Sequence, residues 1–247
     1  MLRKDPKQTR DPFKFLRDIQ NDVAEETRSK VGNRIAVWSE HYIIWIDMIK
    51  PILKATSREE QLNSMLMARL LELNNELLWI LSNIIYHGAY HQVIRELRFV
   101  LDSMMQAYYL DTEHPDVDIL CKLEIIKEIE KWAYGARLIE RLPLQHKDRI
   151  GQLYSSLSKY SHSSYKEMEI SIRRGKVGFR VTPSFDEELF SLCESLTHQV
   201  MDAIYLAVLN QFPYLCESLS SDEILIANLK NFGCQLALEY LKSASSM

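Results

Sequence analysis

The stretch HQVIRELRFVLDSMMQAYYL, residues 91–110, constrains the fold of this chain more than any other. Its apolar residues, Ile94, Leu97, Phe99, Val100, Leu101, Met104 and Met105, are distributed around most of a helix. A helix that is apolar on most sides has to be covered on most sides, so it belongs at the centre of a helical assembly. Arg95, Arg98 and Asp102 interrupt it at i, i+3 and i+7, which puts them on one face. Guanidinium groups on a central helix have to be paired or line a pocket. A solvated, salt-bridged face is the alternative for the same three residues.

Helix punctuation extends this reading along the chain. Asp11 and Pro12 open a helix to about residue 30, and "VGN" breaks it. A second helix over about 34–54 carries Ile35, Trp38, Tyr42, Trp45 and Ile49 on one side. Ser57 and Glu60 form a capping box that opens a long helix to about Tyr86, with a junction at Gly88. After the central helix, Asp116 starts another, which Pro143 stops near Arg141. A helix over about 145–160 follows. Ser184 and Glu187 form a second capping box for a helix to about Gln211, and "SSDEI" caps the last helix, to about Lys242. Seven glycines in 247 residues leave few special turns, which favours long helices over many strands. The exception is "EISIRRGKVGFRV", where apolar residues alternate; it is predicted to form a β-hairpin over about 168–181. The expected architecture is all-α: one bundle of about seven helices with one inserted hairpin. Residues 1–56 form an N-terminal helical pair, an appendage to a domain over 57–247.

Composition narrows the partners. A net charge of −4 exerts no general pull toward nucleic acid or anionic membrane, so such contacts need a local patch. The hairpin supplies one, with Arg173, Arg174, Lys176 and Arg180 close together. Charges that blunt an exposed strand edge are the plainer explanation. No apolar run approaches the ~20 residues that span a bilayer, and the charged N-terminus lacks the apolar core of a signal peptide. The four cysteines have no CxxC spacing and read as thiols of a reducing compartment. The expectation is a cytoplasmic protein with no membrane partner.

Two histidine settings bear on chemistry. His87 and His91 are four apart, a spacing that fits zinc, but no third ligand follows and no cofactor or metal is expected. A di-metal carboxylate bundle would need two E-x-x-H motifs, and the chain has none. His162 lies in "LYSSLSKYSHSSYKEM", at a helix C-terminus where the dipole raises an imidazole pKa. Small serines around it keep a cavity open, and their hydroxyls can orient an anionic group. A capping histidine bonded to the last carbonyls is the competing explanation.

"RELRFVLDSMMQAYYLD", followed in a later helix by "YSSLSKYSHSSY", resembles the HEPN superfamily. The second motif reads Tyr154, Leu157, Ser158, His162 and Ser164. The resemblance covers roughly 57–211. It implies an antiparallel helical bundle, commonly dimeric, that acts as an RNase of toxin and antiviral systems or as a non-catalytic nucleotide- or RNA-binding module. Catalytic members carry Arg, four to six residues, then His on one helix. No arginine stands at those positions before His162; the bare spacing occurs only at Arg34–His41 and at Arg141–His146, which spans Pro143. If His162 acts, its arginine therefore comes from another helix, and Arg95 is the candidate. The implied site pairs Arg95 and His162 as catalytic residues, with Arg98, Tyr154, Ser158, Ser161, Arg173, Arg174 and Lys176 binding substrate. A guanidinium holds the phosphate and an imidazole moves the proton, the two parts that metal-independent RNA cleavage requires. The implied partners are RNA or a nucleotide, a second copy of the chain and an antitoxin-type protein. A non-catalytic helical scaffold or dimerisation protein is the alternative.

Overall fold

A computed structural model describes residues 11–129, 134–161 and 185–244. Every regular element among them is a helix, eleven in all rather than about seven. The predicted hairpin, His162, Arg173, Arg174, Lys176 and the Ser184 cap lie outside the described residues.

Helix α1 (Pro12–Ala55) is capped by Asp11, whose carboxylate accepts from Phe13 N at 3.0 Å. The predicted break at "VGN" is a kink at Val31, where φ is −137°. The Ser57–Glu60 capping box is present, but it opens only the short α2 (Arg58–Asn63). Ser64 then breaks the chain and caps α3 (Met65–His87), which ends at Gly88 in the left-handed region with φ 53°. The central stretch is α4 (Tyr90–Glu113). Helices α5 (Ile119–Ile129) and α6 (Gly135–Arg141) replace the single helix expected there. α7 (Lys147–Ser161) and α8 (Glu187–Gln211) follow, with Asp186 as the α8 N-cap, its carboxylate accepting from Leu189 N at 3.0 Å. The C-terminal stretch divides into α9 (Leu215–Ser220), α10 (Glu223–Asn231) and α11 (Gln235–Ala244), the last two separated by Gly233 at φ 68°.

Cross-links fix the directions of the long helices. α1 runs antiparallel to α3, since Gln20 meets His87 while Trp38 and Tyr42 lie beside Leu77 and Leu81. α3 runs antiparallel to α4, tied by Arg69–Ser103 at one level and Met65–Asp111 at another. α4 and α8 are parallel: Asp186 N donates to Tyr90 Oη at 3.1 Å near their starts, and Thr112 Oγ1 donates to Gln211 Oε1 at 3.3 Å near their ends. α4 packs against α3, α6, α7 and α8, as its apolar circumference requires. The second central helix is α8, in which every residue from Val200 to Leu209 is buried. Trp38, Trp45 and Ile52 of α1 belong to the same continuous core as α4 and α8.

Three aspartates, Asp111 and Asp202 buried and Asp102 partly buried, hold the bundle together by capping helices that they do not belong to. Asp102 of α4 accepts from Gly135 N, the first residue of α6, at 2.9 Å. Asp111, also of α4, accepts from Met65 N and Leu66 N at the start of α3, both at 2.9 Å. Asp202 of α8 accepts from Leu236 N and Ala237 N at the start of α11, at 2.9 and 3.0 Å. Each places a carboxylate on amides that have no partner inside their own helix.

Candidate functional site between α4 and α7

Arg98 and Tyr154 meet where α4 packs on α7. Arg98 Nη2 donates to Tyr154 Oη at 2.7 Å, and the guanidinium carbon lies 5.1 Å from the ring centroid. Arg98 Nε stands 3.8 Å from Asp102 Oδ2, while the other Asp102 oxygen takes the Gly135 amide. Burial raises the Asp102 pKa, and the Gly135 amide and Arg98 pull it back. Gly135 has φ +61°, and a Cβ there would lie 2.6 Å from the Tyr154 ring. Only glycine therefore combines that backbone conformation with so close an approach to the tyrosine.

The remaining predicted residues extend from this contact. α7 runs antiparallel to α4: its Arg149 end reaches Gln235 of α11, which Asp202 ties to the later part of α8. Moving back one turn from Arg98 on α4 reaches Arg95, which is exposed. Moving on one turn from Tyr154 on α7 reaches Ser158, whose hydroxyl oxygen is buried with no hydrogen-bond partner among the described residues. Ser161 is the last residue of α7. The face thus joins Arg98 to Tyr154 directly and carries Arg95 and Ser158 on the adjoining turns. Cavities of about 160, 450 and 640 Å³ open elsewhere, between α1 and α3, beside α2 and α5, and among α9 and α11, and none of the three is lined by these residues.

The other histidines are taken up differently. His87 Nε2 accepts from the Gln20 side-chain amide at 2.8 Å. No group of three His, Cys, Asp or Glu side chains that could hold a metal occurs among the described residues. Arg34 of the Arg34–His41 pair is bound to Glu194, donates to Ser191 Oγ at 3.0 Å and lies over Phe190. His41 is 2% exposed. One arrangement satisfies its three contacts: Tyr205 Oη donates to the His41 carbonyl, His41 Nδ1 donates to Tyr205 Oη, and His41 Nε2 accepts from His198 Nδ1. Burial pushes the His41 pKa down to about 3, with His198 adding to the shift. This cluster, with Phe232 4.2 Å from the His41 ring, was not singled out by spacing, because its members come from α1, α8 and the α10–α11 turn.

No family model matches the chain, and comparison with curated proteins and with solved structures finds no match either.

Proposed function

We propose that the α4–α7 face binds the phosphates of RNA or of a nucleotide, as in HEPN-like proteins. The observation that supports this reading is the Arg98–Tyr154 contact, a polar link between the central helix and α7 with Arg95 exposed one turn away. In this reading Arg95 holds a phosphate, and Ser158 and Ser161 orient it. Arg173, Arg174 and Lys176 track the backbone. His162 transfers the proton at the 2′-hydroxyl or at the leaving 5′-oxygen, which makes cleavage without a metal the activity to look for. The setting is the cytoplasm, in a defence or toxin–antitoxin type system with an antitoxin-type partner.

Fluorescence anisotropy with a 5′-labelled single-stranded RNA at several salt concentrations tests it. Wild type binds at low salt. Arg95→Ala binds about tenfold more weakly, and its log-affinity slope against log-salt is shallower by about 0.7, the value of one lost single-strand phosphate contact. A wild type that binds neither RNA nor a nucleotide, or an Arg95→Ala protein with unchanged affinity and slope, removes this reading. A non-catalytic scaffold is the second reading, and the exposed apolar side chains along α3 favour it.

A further inference from the structure

The outward face of α3 carries four large apolar side chains in solvent: Leu71 at 58% exposure, Leu78 at 50%, Trp79 at 58% and Tyr86 at 47%. Their spacing is symmetric about the midpoint between Leu78 and Trp79. The smaller residues of the same face, Asn75 and Ser82, share that midpoint. In an antiparallel pair of identical helices, residues equidistant from the crossing point oppose each other. We propose that α3 pairs with α3 of a second copy of this chain, antiparallel about a two-fold axis through that midpoint.

The pairing puts Leu71 against Tyr86 of the second copy, Leu78 against its Trp79, and Asn75 against its Ser82. Every large apolar group on the face meets another, and the small serine lets the helices approach. The only carboxylates of α3, Glu72 and Glu76, fall opposite Ile85 and Leu81 of the second copy, so no like charges confront one another. Leu78 also lines the cavity of about 160 Å³ between α1 and α3, with Trp38, Tyr42 and Leu81, which gives the opposing indole a depression to cover. The four side chains expose on the order of 500 Å² per chain, so two such faces with their flanks reach the roughly 1,200 Å² at which specific interfaces begin. This pairing does not depend on phosphate binding at the α4–α7 face.

Sedimentation velocity and disulfide trapping test it on the full chain. Wild type at tens of micromolar sediments at twice 29.0 kDa. Trp79→Glu keeps its helical circular dichroism and weakens the dimer by about 30-fold or more, the effect of losing a central anchor. For trapping, the exposed Cys121 is first replaced by serine. Mixing Asn75→Cys with Ser82→Cys chains under oxidation then yields the cross-linked dimer, and Asn75→Cys alone does not. A monomeric wild type overturns the proposal. So does a dimer that survives Trp79→Glu, or one that forms no 75–82 disulfide in the mixture.

Discussion

Asp202 and His41 are buried within the same core and respond to pH with opposite sign. Burial pushes Asp202 up to about 6 against its ordinary 3.8, although two backbone amides pull it down. A raised folded pKa means that the native state holds the proton longer than the unfolded chain. The stability it contributes is therefore fully present below pH 3.8 and is lost as pH rises through 6. His41 is the reverse: with its folded pKa near 3, its contribution is present above 6.5 and is lost as pH falls. A pH–stability curve for the whole protein adds the two, so single variants are needed to separate them. Relative to wild type, Asp202→Asn should gain about 2 kcal/mol between pH 4 and pH 7, measured by urea unfolding. Parallel wild-type and variant curves would show that Asp202 titrates as an ordinary carboxylate.

At the scale of elements, the borrowed caps explain both what the sequence reveals and what it hides. The Ser57–Glu60 box is local and was legible, because both partners lie within one turn. The end of α2 was not legible. Ser64 ends it in concert with Asp111, forty-seven positions away, which takes the Ser64 hydroxyl and two α3 amides. Asp202 likewise starts α11 from a distant helix, and Gly233 frees the chain to turn there, so the one predicted last helix became two, α10 and α11. Asp111 also binds Lys122 Nζ at 2.8 Å, and that lysine is 2% exposed. Asp111→Ala should therefore cost about 3–5 kcal/mol, because it strands a buried ammonium and uncaps α3 together. Asp111→Ala/Lys122→Met should recover part of that loss in urea unfolding. Equal destabilisation in the single and double variants would assign the whole effect to the cap.

At the scale of the molecule, a strongly apolar stretch was enough to identify α4 as central, because coverage on most sides follows from its composition, although Phe99 on its outer side stays exposed. α8 carries the same signature in "VMDAIYLAVL" but was read only for its ends. Arg98 and Tyr154 both stand out in the sequence, yet their mutual contact depends on α4 and α7 packing antiparallel, which spacing within either helix cannot specify. The α3 outer stripe went unnoticed because a sequence does not say which apolar face the core leaves uncovered. Among the described residues no helix is long and apolar enough to cross a membrane. The α4–α7 reading is tested most directly by photo-crosslinking the protein to a 4-thiouridine-labelled single-stranded RNA and mapping the adducts by mass spectrometry. Adducts are expected in the peptides carrying Arg95, Ser158 to His162, and Arg173 to Lys176, with their yield falling in Arg95→Ala. Adducts confined to other helices, or a yield that Arg95→Ala leaves unchanged, would contradict it.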